Sequence, residues 1–446
     1  MSNQELFPGN GKADLLLNGE PPTRVRYLVL AGGCSMALLA YVDRFGFAVF
    51  ADRIGEDFGL SDQDMGYLMA AFLVSYGACQ VPAGLAGDRF GARLLLTVFV
   101  VGWSVATAAL GLVPKDVALT WLPLALLLGL RIVFGAFQSG AFPVFARVVG
   151  DWIPVTERGS AQGLMWTTSR LGAAASPFFL IWLLNLCGGW KLPLVILAGL
   201  GLLWSAAFWA WFRNRPEDMP QLNDAERRLI RVGQAPARLP RSGIPWRRLL
   251  GSRSAWCLCL MYGGCGPAGN FMLTFLPYYL HRQRHLSDET TRWLLSGPLT
   301  TGFVACTAGG LVSDWLIRHW GSRKSGRRAN GLAGLTLAGV AFAATVWVED
   351  PRLLGLLLCL TQFGNDFCMG PAWAAATEIG ERYAGTLSGA MNMTSNCSGA
   401  VAASVAGYLF QIGHADWAFF AFGGTYLFGA LCWLGIDVTK PVTASA

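Results

Sequence analysis
Twelve apolar stretches follow one another almost from end to end of this 446-residue chain, at 27–50, 65–86, 93–113, 120–147, 158–186, 191–212, 255–280, 293–317, 329–348, 352–377, 384–411 and 415–437. Each reaches the roughly 20 apolar residues that a helix needs to cross a bilayer core of about 30 Å. Backbone groups in lipid must bond within their own segment, and runs this long without alternation do not suit barrel strands, so an all-α membrane protein is expected. Composition agrees. Apolar residues make up 54% and charged residues 14%, against about 45–50% and 25% in soluble domains. The 18 tryptophans suit a protein with two membrane interfaces to anchor.

Lysine and arginine are unevenly shared between the two sets of loops. One set, with the tails, holds 24 of the 34, the other holds 7, and three lie inside apolar stretches. The positive-inside rule then puts both termini in the cytoplasm. The net charge of +7 reads as this topology signal; no basic groove with interleaved aromatics suggests nucleic acid. Residues 213–254 carry ten of the arginines and several prolines, and read as a cytoplasmic linker able to rest on anionic lipid. The expected plan is a tail (1–26), a first bundle (27–212), the linker, a second bundle (255–437) and a tail (438–446). The polar first 25 residues lack the apolar core of a cleavable signal.

Several chemistries find no support. The 11 cysteines lie mostly in apolar stretches without CxxC spacing, and the 4 histidines lie at span ends or in loops, so no metal site is expected. The patterns GxSxG, HExxH and GxxxxGK[ST] are absent, which argues against a hydrolase, an enzyme of another kind or an ATP-driven pump, and no cofactor is expected. A membrane-embedded enzyme and a sensor that binds without transporting are the competing classes. Accumulation of substrate by proteoliposomes separates both from a carrier.

The informative residues are charges in the wrong place. Arg44, Arg131 and Arg170 lie deep in apolar stretches, with Asp43 and Asp366 as the carboxylates at similar depth. A cation at the bilayer centre costs roughly 2.5–3.5 kcal/mol even on lenient scales, so three of them imply a use, such as receiving an anion. Arg131 and Arg170 stand about a dozen residues, or roughly 18 Å, from the starts of their spans, beyond easy snorkelling. A guanidinium grips a carboxylate through two parallel hydrogen bonds, which makes Arg44 the expected binder. Arg131 is read either as a second attractor or as a partner of Asp43 in a coupling pair, and Arg170 in the same two ways, as an attractor or as one half of a coupling pair, with Ser169 as its polar companion. Asp43 is the candidate for proton coupling, its alternative being a permanently ionised partner of Arg44 or Arg131. Asp366 is either a second titrating group or an acceptor for substrate hydroxyls. Gln138 shares a helix face with Arg131. Tyr41, Tyr76 and Gln80 in the first half, and Asn270, Asn392 and Asn396 in the second, suit a hydroxyl-rich cargo, although such residues serve as often to bond helices together.

The two halves repeat. Gly84-Leu-Ala-Gly-Asp88-Arg89-Phe-Gly91-Ala-Arg93 returns as Gly310-Leu-Val-Ser-Asp314, an offset of 226, and Glu157-Arg158 returns as Glu381-Arg382, an offset of 224. Such a parallel duplication implies two six-helix bundles of equal orientation, and the repeated charged turns read as a conformational latch. In these residues the chain resembles the major facilitator superfamily, whose loop signature is Gly-x-x-x-Asp-Arg-x-Gly-x-Arg at this place. Within it, Tyr41-Val-Asp43-Arg44, Ser75 to Gly84, Arg131 to Pro143, Phe275 to Leu280 and Gly389 to Asn396 are similar to the anion:cation symporter family. That resemblance implies a monomeric carrier of a sugar acid or other small organic anion, moved with a proton or another cation, in a bacterial inner membrane. Gln138 departs from it, because proton-coupled members often carry glutamate there, and glutamine exchanges no proton.

Overall fold
The structure, a computed structural model, describes residues 21–115, 121–231, 246–282, 284, 286–414 and 416–442. The expected N-tail up to residue 20, linker residues 232–245 and the last four residues of the C-tail lie outside these. Eighteen α-helices are described: α1 Val25–Val49, α2 Ala51–Phe58, α3 Asp62–Phe90, α4 Ala92–Leu110, α5 Leu122–Gln138, α6 Ala141–Trp152, α7 Arg158–Cys187, α8 Lys191–Trp211, α9 Asp224–Arg231, α10 Trp246–Gly251, α11 Arg253–Thr274, α12 Leu276–Arg282, α13 Asp288–Trp320, α14 Arg323–Ala344, α15 Pro351–Phe367, α16 Met369–Gly380, α17 Ala384–Gln411 and α18 Asp416–Trp433. Among the described residues there is no strand. Nine helical stretches there are long and apolar enough to cross a membrane. One of them, Pro351–Gln411, is 61 residues long, room for two crossings of about 20 residues. The helices α11 and α18 fall outside those nine.

Local chemistry sets the ends. Ser61 and Asp64 form a capping box at the start of α3, and Ser287 accepts from the Thr290 amide to start α13, each satisfying donors that a helix leaves unpaired. Glycines at positive φ stop α7 at Gly188 and α13 at Gly321. Three of the apolar stretches contain a break that hydropathy does not reveal. The fourth divides between α5 and α6, the tenth at Cys368 and the seventh at Phe275. Pro143, Pro371 and Pro277 follow these breaks by two to four residues, and each removes the amide that the residue four places earlier would have bonded.

The helices before the linker pack as α1 on α7, α4 on α8 and α3 on α5; those after it pack as α11 on α17, α14 on α18 and α13 on α15. The two groups meet where α3 crosses α17 and α7 crosses α13, flanked by α6 and α16. Outward faces carry large exposed apolar side chains such as Val74, Phe178, Leu203 and Trp293, a surface suited to lipid and too extensive for water.

Candidate functional site
Arg44 projects from the last third of α1 into an aromatic cleft. Its Cζ lies 4.9 Å from the Tyr41 ring centroid, 4.6 Å from that of Tyr76 and 5.3 Å from that of Phe72. Its Nε donates to Gln138 Oε1 at 2.9 Å, while Gln138 Nε2 donates to the Ala40 carbonyl at 2.8 Å. Gln138 thus holds the guanidinium without neutralising it. The Nη2 of Arg44 is buried and has no hydrogen-bond partner, which is costly for a charged donor. Arg131 also lies over Phe72, its Cζ 4.9 Å from that ring, 4.2 Å from Phe47 and 5.5 Å from Phe134. Its Nε donates to the Leu68 carbonyl at 3.3 Å, and the residue is 2% exposed.

Asp43 turns the other way. Its carboxylate accepts from Trp103 Nε1 on α4 at 2.9 Å, and among the described residues no ion pair joins it to Arg44 or Arg131. The pairings considered from the sequence do not form, because neighbouring positions on a helix differ by about 100° in direction. Trp103 was unremarked in the sequence, where a tryptophan in an apolar stretch reads as an interface anchor.

Arg170 is not an open attractor either. Its Nε and Nη2 donate to the two oxygens of Asp366 at 3.1 Å and 2.7 Å, an ion pair from α7 to α15 that spans the two helix groups. Asp366 is fully buried and also accepts from Gln362 Nε2 at 2.8 Å and Asn365 Nδ2 at 2.9 Å. It therefore offers no free oxygen to a substrate hydroxyl. Ser169 is no companion to Arg170: its hydroxyl donates to the Met165 carbonyl. Tyr76 lines the Arg44 cleft, and Gln80, one level further along α3, is buried with both amide atoms unpartnered. Across the seam, Asn396 donates to the Asn392 carbonyl at 2.8 Å and packs near Gly77. Asn270 lies apart, against Gly399 within the second group.

Toward the end of the molecule that carries α9, the groups lock together twice. Asp88 accepts from the Gly385 and Thr386 amides at 3.0 Å and 2.7 Å and from the Thr386 hydroxyl at 2.6 Å, at the start of α17. Asp314 accepts from the Gly159 and Ser160 amides at 3.1 Å and 2.6 Å and from the Ser160 hydroxyl at 2.7 Å, at the start of α7. Each carboxylate caps the positive end of a helix in the opposite group. Glycine is required at the crossings: a Cβ on Gly84 would stand 2.2 Å from the Gly385 carbonyl oxygen, and one on Gly310 would stand 2.3 Å from that of Gly159. The recipients Gly159-Ser160 and Gly385-Thr386 are 226 apart, the same offset as Asp88 and Asp314. The Glu157-Arg158 and Glu381-Arg382 match, offset 224, is two residues out of this register.

The other charged members of the expected latch stand elsewhere. Arg89 is exposed, over the Phe90 ring. Arg93, after Gly91 at φ 90, donates to the Trp209 carbonyl at 2.9 Å within the first group. Glu157 accepts from Arg26 at 3.2 Å, and Arg158 donates to the Ile153 and Gly150 carbonyls. Glu381 forms the turn before α17 at φ 46, and the Arg382 carbonyl accepts from Arg147 of α6 at 2.7 Å. Sequence reasoning missed Arg147, which also lies 3.6 Å from Asp88, and the fully buried Arg327, which joins Asp314 at 2.7 Å and Glu378 at 2.9 Å. Arg327 had been counted as a loop residue; α14 begins one turn earlier, at Arg323.

Comparison with known proteins follows from this geometry. Residues 33–404 match the Major Facilitator Superfamily. A probable sulfoacetate transporter of Cupriavidus necator is 30% identical, over 93% of this chain and 94% of its own length. The D-galactonate transporter of Escherichia coli is also 30% identical, over 89% and 92%, and the hexuronate transporter of Bacillus subtilis 26% identical, over 91% and 92%. Two solved structures share the fold: the human organic anion transporter MFSD10, with TM-score 0.66 and 17% identity over 93% of this chain and all of that one, and the proton:xylose symporter XylE, with TM-score 0.68 and 14% identity over 93% and 96%. These relatives are carriers, not enzymes. With a matched span that runs from within α1 to within α17, the chain is a multi-pass membrane protein that belongs to the major facilitator superfamily.

Proposed function
We propose that this chain is a secondary active transporter that takes up an organic anion, a sugar acid or another small carboxylate, by alternating access in a bacterial inner membrane. In this reading it works as a monomer with twelve crossings in two bundles, 27–212 and 255–437, the linker 213–254 and both termini being cytoplasmic. The observation that carries the reading is Arg44, a guanidinium deep in an apolar molecule, held by the uncharged Gln138, with a buried Nη2 that has no partner and no carboxylate in ion-pair reach among the described residues. An incoming carboxylate supplies an acceptor for that Nη2 and the missing charge. The acids named for the relatives, sulfoacetate, galactonate and hexuronate, support cargo of this kind.

The seam closed around Asp88 and Asp314 lies at the linker end, so the Arg44 cleft is reached from the opposite side. On the positive-inside topology that side is the exterior, and the state is one that receives cargo. Neutralisation of Arg44 then lets the bundles rock and open toward the cytoplasm. A monoanion entering alone works against an inside-negative potential by about 2.3 kcal/mol per 100 mV, so accumulation calls for a co-transported cation. Asp43 is the candidate site for a proton. An uncoupled or exchanging facilitator, or the same cycle run as export, is the second reading, favoured by two observations: Gln138 exchanges no proton, and Asp43 bonds Trp103 in place of an arginine.

Uptake of radiolabelled acids into liposomes with an imposed pH gradient tests the proposal. Wild type should accumulate an acid, Arg44→Ala should lose at least about tenfold in uptake, and Asp43→Asn should abolish the effect of the gradient while retaining exchange. Wild-type uptake indifferent to the gradient removes the proton from the scheme; undiminished uptake by Arg44→Ala removes the site.

A further inference from the structure
This inference rests on the transport reading and concerns the charge of the cargo. The three deep guanidinium groups are not equivalent. Arg131 is 2% exposed among the rings of Phe47, Phe72 and Phe134, so a cargo does not touch it; its charge, unpaired by any carboxylate among the described residues, lies with Arg44 at Phe72 and adds to the attraction at that end of the cargo. The Arg170 side chain is 24% exposed, but its Nε and Nη2 are both engaged by Asp366. That carboxylate is fully buried and is held from behind by Gln362 and Asn365. Pulling it from its guanidinium would strand an ion in a water-poor interior, so a cargo anion does not displace it. The pair therefore shows the site one guanidinium edge with no net charge behind it. Arg44 remains, half-buried, bonded to a neutral amide, and unpaired by any carboxylate among the described residues. Tyr41 lies beside Arg44, whose Cζ is 4.9 Å from its ring, and packs on α7 at Gly172, where a Cβ would stand 3.2 Å from the Tyr41 Cβ, two residues on from Arg170.

We infer that Asp366 is a specificity-determining residue: by neutralising Arg170 it restricts the site to a cargo with a single anionic group, seated on Arg44, whose far end is neutral and polar. A second carboxylate or sulfonate at that far end meets a guanidinium already matched and the negative charge of Asp366 behind it. Discrimination then comes from the repulsive partner as much as from the attractive one.

Acids that differ in their second anionic group test this: D-galactonate against galactarate, and isethionate against sulfoacetate, compared by uptake and by competition in liposomes holding the full chain. Wild type should favour the monoanion of whichever pair it accepts by about tenfold or more in half-saturating concentration. Asp366→Asn frees the charge of Arg170 and should reverse that ratio in favour of the dianion. Arg170→Gln combined with Asp366→Asn removes the freed charge and should return the preference to the monoanion. A carboxylate that merely holds the helices together would weaken both members of a pair alike and leave the ratio where it was. Wild type that takes the dianion equally well overturns the inference whether or not the variants fold, as does an unchanged ratio in a folded Asp366→Asn protein. If none of the four acids binds or is transported while another anion is, the same comparison is made with that anion and its counterpart of one more charge. If no anion is transported at all, the transport reading itself falls, and this inference with it.

Discussion
At the scale of single residues, what matters is which charges have partners. Gln138 is 2.9 Å from the Arg44 guanidinium, the position from which a carboxylate would compete with cargo. Gln138→Glu should therefore weaken anion binding about tenfold at neutral pH, equivalent to roughly 1.4 kcal/mol, read as a shift in the half-saturating concentration of whichever acid stabilises the protein in a thermal-shift assay. Equal affinity in the variant would mean that the anion does not sit on Arg44. Much of this neighbourhood was legible in the chain, because arginines in long apolar runs stand out whatever their surroundings. Their partners were not. Arg170 and Asp366 are 196 residues apart, and nothing local to either shows that α7 and α15 bring them together. The turn of Asp43 toward Trp103 depends on helix rotation, which hydropathy leaves open.

At the scale of helices, the repeat pointed to Asp88 and Asp314, and the structure places both at the seam, each on the amino end of a helix from the opposite group. What was lost was the register of the recipients. The Glu-Arg dipeptides carry the charge, while the atoms that bind are backbone amides of Gly159 and Gly385 beside the hydroxylated Ser160 and Thr386, residues with little sequence signature. Asp88→Asn keeps the shape and removes the charge, which at a helix amino end contributes about 0.3–1 kcal/mol, and up to ~2 kcal/mol where partly buried. The expected result is a larger population opened at the linker end, visible as a longer distance between spin labels on the adjoining ends of α3 and α17. An unchanged distance distribution would show that the cap does not hold the closed state. Breaks within the long helices were also hidden: Pro143, Pro277 and Pro371 follow breaks, whereas Pro82, Pro177, Pro267 and Pro298 lie inside unbroken helices, so a proline in an apolar run does not by itself mark one.

At the scale of the whole molecule, the described part of the linker is a working element of the first group. Glu226 of α9 accepts from the Thr23 hydroxyl at 2.6 Å, from the Val25 amide at 2.9 Å and from Arg26 Nη1 at 3.0 Å, capping α1. Burial works to raise its pKa, but these hydrogen bonds outweigh it and hold the carboxyl below the usual glutamate value. Because the folded pKa is the lower one, this stabilisation is in force at neutral pH and is lost as pH falls through the folded value. Glu226→Ala should lower the melting temperature at pH 7 by a few degrees, as expected for a lost cap of about 1 kcal/mol. The deficit should shrink in strongly acidic buffer; a deficit independent of pH would assign the effect to packing. The seam itself has a mechanical consequence. Hydrogen bonds between the groups run from the linker end up to Arg170 and Asp366, the innermost charged contact. Rotation that parts the linker end turns about the middle of the molecule, where displacement is least. In the proposed cycle the Arg170–Asp366 pair therefore sits where a hinge pin would, able to stay joined throughout while every bond nearer the rim is made and broken.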